Sequence, residues 1–264
     1  MPDQAWPEEL SADSALPESA SSEPWRSDRA QPDSALNVVV ILVAAGSGVR
    51  LGGTVPKAFA SLRGEPLLAH ALRGVLGCAE VGHVIIVGPA SHLGRCREVA
   101  GGYQRLDVVA GGADRSASVE AGLAALRHDD GIVLVHDVAR CLAPPDLFAR
   151  VIRAVRDGHP AVVPGLPVTD TVKVVDPQGR VLATPDRQSL RGIQTPQGFL
   201  RGVLEHAHGQ AGAEVASATD DAGLVERAGG QVRVVAGDHR ALKITSPLDL
   251  TLAAALLQEG SYAG

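Results

Sequence analysis

The chain has 264 residues, 45% of them hydrophobic and only 3% aromatic, with 24 lysines and arginines against 30 acids for a net charge of −6. That length supports one large domain, and its core must be built from Val, Leu, Ile and Ala because both tryptophans, Trp6 and Trp25, lie near the amino terminus. Residues 1–36 hold eight acids and two arginines, leaving 22 acids against 22 bases beyond them, so the folded part lacks the basic excess that nucleic acid or an anionic membrane surface would require.

Residues 1–36, rich in Pro, Ser, Ala and acids, show no helical or strand period and read as a disordered acidic tail. A docking segment using Trp6 or Trp25 is the alternative. The amino terminus has no basic n-region or apolar h-region, and no apolar run is long enough to span a bilayer. The cysteines Cys78, Cys96 and Cys141 form no C-x-x-C pair, so a soluble cytoplasmic protein with reduced thiols is expected.

From Asn37 the chain alternates β-branched runs with helix-period segments: "NVVVILVAA", "EPLLAHALRGVL", "HVIIVG", "LDVVAGG", "ASVEAGLAAL" and "GIVLVHD". That alternation predicts an α/β fold with a mostly parallel sheet and crossover helices, favoured over an aromatic-rich β sandwich. In the first helix Leu67, Leu68, Ala71, Leu72 and Val75 recur at helical spacing and are assigned to the core. A helix with a proline-rich start follows at "PPDLFARVIRAVRDG". Next, "TVKVV" and "RVLAT" flank the turn signal "DPQG", which predicts a hairpin arm at about residues 168–190, a place suited to a dimer contact or a lid. The chain closes with a helix after "SATDD", a strand "QVRVV", and a last helix capped by Ser246 with Pro247 in its first turn. One domain is expected over residues 37–258, with a short tail at 259–264.

The first strand runs into "AAGSGVRLGGTVPKAF", at the carboxyl end where open α/β sheets bind ligands. Leu51 stands where a dinucleotide fingerprint needs glycine, and Thr54 where a Walker loop needs lysine. What remains is a glycine-rich turn exposing backbone N–H groups, followed by Arg50 and Lys57, a combination able to hold a polyphosphate. A plain surface loop with solvated cations is the competing reading.

The same stretch resembles the nucleotide-binding loop of the nucleotidyltransferase superfamily, A-A-G-x-G-x-R followed by P-K. With "GGADRSASVEAGL", "VLVHDVARCL", "PVTDTVK", "DRQSLRGIQTPQGF" and "ATDDAGLVERAGGQVRVVAGDHRALKITSPLDL" in order, the chain from about Val38 to Leu257 resembles the 2-C-methyl-D-erythritol 4-phosphate cytidylyltransferases of non-mevalonate isoprenoid synthesis. The resemblance implies a Rossmann-like sheet with helices on both faces, of the nucleotide-diphospho-sugar transferase type. It implies transfer of CMP from CTP to 2-C-methyl-D-erythritol 4-phosphate, with Mg2+ held mainly by the CTP phosphates, in a homodimer.

Residue by residue, the resemblance makes Arg50, Lys57 and Lys243 the catalytic cations. It places Ala44, Ala45, Gly46, Gly48, Arg115 and Ser118 in the CTP site. Asp137, Arg140, Asp170, Thr171 and Thr195 then face the polyol phosphate, with Gln197 nearby, and Arg187 reaches into the neighbouring subunit's site. Asp137 is also the one candidate metal contact among the side chains. For several of these the bland reading stands beside the functional one. Ser116 or Ser118 also suits a helix cap, Asp137 a turn, Arg187 an exposed charge, and Lys173 a strand-surface charge; His136 is taken as structural. "TDD" at Thr219 to Asp221 reads as a helix start, in preference to a metal role for Asp220. The chain departs from the usual "HDAARP" at Val138 and Cys141, which puts pocket shape and the following turn in question. A cytidylyltransferase acting on another polyol phosphate, such as ribitol 5-phosphate, and a non-catalytic nucleotide-binding protein are the alternatives.

Overall fold

The β-branched run Asn37–Val43 (β1) becomes a central strand, its inner residues fully buried on both faces. In chain order there follow β2 (Ser61–Leu62), β3 (Glu65–Pro66), α1 (Leu67–Leu76), β4 (Val81–Gly88), α2 (Leu93–Ala100), β5 (Leu106–Ala110), α3 (Arg115–Leu123), β6 (Asp130–Asp137), α4 (Pro145–Arg156) and β7 (Ala161–Pro167). The second half comprises β8 (Val174–Val175), β9 (Val181–Ala183), β10 (Arg191–Ile193), β11 (Gln197–Leu200), α5 (Arg201–Ala211), α6 (Asp221–Arg227), β12 (Arg233–Ala236) and α7 (Pro247–Gly260). The structure, a computed structural model, describes residues 36–46, 55–211 and 220–260, which fall in one compact unit.

Eight strands form one sheet in the order β10-β7-β11-β6-β1-β4-β5, with β12 paired to β7. β5, β4, β1 and β6 are parallel neighbours, β12 is parallel to β7, and β11 runs antiparallel to both β6 and β7. Along one side of β7 the partner changes: β11 pairs with Ala161 and Val162, and β10 with Gly165 to Pro167. The chain between them, Gln194 to Pro196, therefore leaves the sheet beside the carboxyl end of β6.

Alternate residues of β1 divide the core into two layers, as the two-residue strand period requires. Val38, Val40 and Leu42 face α1, α2, α4 and α7, while Val39 and Ile41 face α3, α5 and α6. Helices thus cover both faces, as expected for parallel strands buried on each side. Leu67, Leu68, Ala71, Leu72 and Val75 are all buried against the sheet, and burying each such leucine or valine contributes about 1.5–3 kcal/mol.

The hairpin arm is present but shorter than expected: Val174–Val175 pairs with Val181–Ala183 in a separate two-stranded sheet. Asp176 makes the turn, its carboxylate accepting from the N–H groups of Gln178 and Arg180. Pro145 opens α4 at its first turn. Ser246 caps α7, its Oγ accepting from Asp249 N, while Asp249 reaches back to Ser246 N and to Thr245. Asp114 caps α3 by accepting from Ala117 N, so the cap that served as the alternative reading of Ser116 or Ser118 falls to neither serine. The sequence period missed β10 and β11, because Gly192, Pro196 and Gly198 break the β-branched pattern there.

Candidate active site

The parallel strands bring their carboxyl ends to one edge, where several of them deliver part of a cleft of about 370 Å³, a size suited to a small ligand. Ala44, Ala45 and Gly46 follow β1, the segment Gly112 to Arg115 follows β5, Asp137 ends β6, and Lys243 follows β12. Lys57 and Ser118 complete that wall. A smaller lobe of about 220 Å³ adjoins it, lined by Arg140, Thr195, Gln197 and Asp220. Arg115, Asp137 and Lys243 border both lobes.

The larger lobe is narrow because its loops touch. A Cβ on Gly111 would lie 2.5 Å from the Cβ of Ala45 and 2.9 Å from Ser118 Oγ, so only glycine lets the turns after β1 and β5 meet. Ser118 holds the second turn from within: its hydroxyl donates to Asp114 O at 2.7 Å and accepts from Gly112 N at 3.2 Å. On the other wall, Lys57 N donates to Gly46 O at 3.3 Å, which ties the Pro56–Lys57 turn to the glycine loop.

Charge is concentrated where the lobes join. Asp137 accepts from Arg115 Nε at 3.1 Å through one oxygen and pairs with Lys243 Nζ at 2.8 Å through the other. Burial alone would raise its pKa, but the two cations and their hydrogen bonds hold the carboxyl well below the usual range. It stays ionised and sets the spacing of two cations that would otherwise repel. Arg115 also donates from Nη1 to Asp221 Oδ2 at 2.7 Å, and Asp221 Oδ1 lies 3.1 Å from His208 Nε2.

The smaller lobe is braced by buried polar groups. Thr195 Oγ1 accepts from Asp137 N at 3.1 Å and meets His136 Nδ1 at 3.0 Å. Gln197 donates to Asp220 Oδ2 at 2.7 Å and accepts from Ala222 N at 3.2 Å, and Asp220 caps α6 through Gly223 N at 3.0 Å. The reading of "TDD" as a helix start therefore fits Asp220, while Thr219 lies outside the described residues. Arg140 donates to Ala241 O at 2.8 Å and Ile193 O at 3.0 Å, so its two terminal nitrogens clamp backbone on two sides of the lobe.

His136 is fully buried edge-on against Phe148, and burial lowers its pKa from 6.5 to about 4. The folded protein then binds this proton less readily than the unfolded chain, so stability should fall as pH drops from about 6.5 to about 4, by up to about 3 kcal/mol. Asp137 adds to the loss from the ordinary carboxylate range downward, because its depressed pKa lets the unfolded chain take up that proton before the folded one does. Urea midpoints measured across this range should show the slope in the wild type and a flatter one in His136→Leu. Equal slopes would remove the histidine as its source.

Gln194 escaped the sequence reading. Its buried amide accepts from Asp238 N at 2.9 Å and donates to Asp238 O at 2.9 Å and Ala241 O at 3.4 Å. A Cβ on Gly237 would lie 2.4 Å from its Oε1. With Arg140 and the bond from Ile244 N to Ala139 O at 2.8 Å, this amide bolts the loop that presents Lys243. The signal was a glutamine beside Thr195, but its partners lie more than forty residues away.

Val138 is buried and lines the larger lobe. Cys141 adopts φ −63°, the value a proline would impose, so the turn keeps its course without proline. Its thiol is buried and pushed up to about 12 by burial, which leaves it protonated. Asp170, Thr171 and Arg187 are exposed and border neither lobe; Arg187 donates to Thr169 O at 2.9 Å. Gly48 and Arg50 lie outside the described residues.

For a divalent cation the side chains offer little. Among the described residues no group of three or more His, Cys, Asp or Glu is placed to hold a metal ion. Both oxygens of Asp137 are engaged by Arg115 and Lys243. A resident metal held by protein ligands alone does not fit these residues.

The sequence model of the family described as 2-C-methyl-D-erythritol 4-phosphate cytidylyltransferase (IspD) matches residues 38–259. The chain is 48% identical over 225 residues to the 2-C-methyl-D-erythritol 4-phosphate cytidylyltransferase of Rhodococcus opacus (strain B4), covering 85% of this chain and 97% of that protein. It is 52% identical over 230 residues to a bifunctional enzyme IspD/IspF of Clavibacter michiganensis subsp. michiganensis (strain NCPPB 382), covering 85% of this chain but spanning only 55% of that protein's length. Among solved structures, the 4-diphosphocytidyl-2C-methyl-D-erythritol synthase of Anaerococcus prevotii DSM 20548 superposes with a TM-score of 0.75 at 30% identity, over 85% of this chain and 99% of the other. The 2-C-methyl-D-erythritol 4-phosphate cytidylyltransferase of Thermus thermophilus does so with a TM-score of 0.68 at 35% identity, over 84% and 100% of the two chains.

Proposed function

The chain belongs to the 2-C-methyl-D-erythritol 4-phosphate cytidylyltransferase family, and from that premise we propose how its two-lobed site carries out the reaction. The activity is transfer of CMP from CTP to 2-C-methyl-D-erythritol 4-phosphate, releasing diphosphate, in isoprenoid precursor synthesis. The observation that carries our reading is the charged junction: Arg115, Asp137 and Lys243 border both lobes at once. CTP occupies the larger lobe, its base against the small residues Ala44 and Ala45. Its phosphates run along Gly46, Gly48, Arg50 and Lys57. The polyol phosphate enters the smaller lobe beside Thr195 and Arg140.

Its phosphate is already anionic and attacks the α-phosphorus in line, so no strong base and no covalent enzyme intermediate are required. The site's task is to bring two polyanions together and stabilise the charge that develops at phosphorus. Lys243 and Arg115 at the junction, with Lys57 and Arg50 toward the triphosphate, supply that stabilisation. Asp137 keeps Lys243 and Arg115 apart and aimed, which avoids reorganisation as the reaction proceeds. We assign Mg2+ to the substrate, as the CTP complex, with Asp137 the carboxylate that would lie nearest it at the junction of the lobes. Bound there, the ion would neutralise charge on the triphosphate and the departing diphosphate.

We further propose a homodimer built on the hairpin arm. Val174, Val175, Val181 and Leu182 leave about half of their surface exposed, between 46% and 60%, an apolar patch that a second copy would cover. Asp170, Thr171 and Arg187 then complete the smaller lobe of the partner. A reducing cytoplasm suits the three cysteines, which are buried free thiols, and no helix among the described residues is long and apolar enough to cross a membrane.

Diphosphate release tests this reading. With each nucleoside triphosphate paired against 2-C-methyl-D-erythritol 4-phosphate and ribitol 5-phosphate, turnover should require CTP and favour the methylerythritol phosphate by at least tenfold in kcat/KM. Preference for ribitol 5-phosphate would reassign the acceptor, and CTP binding without release by any acceptor would make the chain a non-catalytic nucleotide binder.

A further inference from the structure

We infer that Asp221 and His208 are a positioning pair that fixes the guanidinium of Arg115 and, through it, the nucleotide wall of the site. The inference rests on the cytidylyltransferase reading above. Arg115 is the first residue of α3, where a cation meets the positive end of the helix dipole and is disfavoured. Two carboxylates hold it there: Asp137 on Nε at 3.1 Å and Asp221 on Nη1 at 2.7 Å. Contacts at two different nitrogens of one planar group set its plane as well as its place.

The two carboxylates differ in kind. Asp137 borders both lobes, whereas Asp221 is buried and borders neither, so Asp221 acts through Arg115 alone. Its other oxygen lies 3.1 Å from Nε2 of His208, a buried residue of α5. For that contact to be a hydrogen bond, Nε2 carries the proton and donates. Nδ1 of the same ring has no hydrogen-bond partner, and Glu120 Oε1 stands 3.8 Å from it. Apolar side chains would join α5 to α6 at least as well, since buried ion pairs rarely stabilise more than apolar packing. What two buried polar groups against a half-buried arginine add here is orientation.

Arg115 touches both lobes, but the residues around it, Gly112, Ala113 and Asp114 just before α3 and Ser118 within it, line the larger one only. Loosening Arg115 should therefore weaken CTP more than the polyol phosphate. His208→Leu should raise KM for CTP and the calorimetric Kd for CTP about tenfold, the effect of one charge-assisted hydrogen bond, and leave KM for the polyol phosphate within about twofold. His208→Gln, whose amide nitrogen reaches the place of Nε2, should recover CTP affinity to within about threefold of wild type. If Gln performs no better than Leu at equal Tm, or both substrates lose affinity equally, the pair has no positioning role. Should His208→Leu fail to fold, Asp221→Asn decides by the same split between substrates. Wild-type turnover with CTP and methylerythritol phosphate tests the reaction itself, so its failure is read separately from these ratios.

Discussion

Lys243→Ala should lower kcat by a hundredfold or more while moving Tm by only a few degrees. The lysine lies at the boundary of both lobes, its Nζ 2.8 Å from Asp137 Oδ2 and its side chain 42% exposed. In the proposed binding mode an ammonium there would face both the attacking phosphate and the phosphorus under attack, where charge develops. Losing one preorganised electrostatic group of this kind costs about 3 kcal/mol of barrier. Stability depends on it far less: a partly exposed ion pair contributes about 1 kcal/mol or less, and Arg115 still compensates Asp137 after the change. The predicted signature is thus a large fall in kcat with a near-normal urea midpoint. Lys243→Arg, which keeps the charge but not the compact ammonium, should fall between the two. A Lys243→Ala enzyme retaining more than a tenth of wild-type kcat would exclude the lysine from the chemistry.

The central strands β1, β4 and β6 were legible because they are nearly continuous apolar runs, the mark of strands buried on both faces. The site's frame was legible for a related reason, since ligand-binding loops follow the carboxyl ends of such strands. Ala44, Gly46, Arg115, Asp137 and Lys243 do converge there, although Lys243 is separated from Asp137 by more than a hundred residues. What stayed hidden were groups whose partners come from distant segments. Gln194 looks unremarkable until the loop at Asp238 folds over it, and Asp221 resembles an ordinary acid in a first helical turn until Arg115 arrives from α3. Local sequence carries a cap or a turn; it carries no trace of an ion pair between α3 and α6. Arg140 shows the same limit from the other side, because its terminal nitrogens are committed to backbone carbonyls of two loops. It shapes the smaller lobe by holding its walls, whichever ligand it also meets.

Arg187→Ala should be almost inactive alone yet regain activity when mixed with an equally inactive Lys57→Ala enzyme. Within one chain Arg187 is exposed and borders neither lobe, and its guanidinium donates to Thr169 O at 2.9 Å, so it has no evident task in its own site. It leaves the arm, whose exposed Val174, Val175, Val181 and Leu182 favour contact with another copy. If the arms pair two subunits about a twofold axis, each Arg187 projects toward the partner's smaller lobe. A mixed dimer then contains one site with both defects and one with neither. Random reassortment makes half of all dimers mixed, so activity should return to about a quarter of wild type. Were Arg187 to act within its own chain, both sites of the mixed dimer would carry one defect and nothing would return. The protomers must be dissociated and reassociated together, and mixed dimers confirmed by distinguishable tags. Fully formed mixed dimers without activity would place Arg187 outside the partner's site.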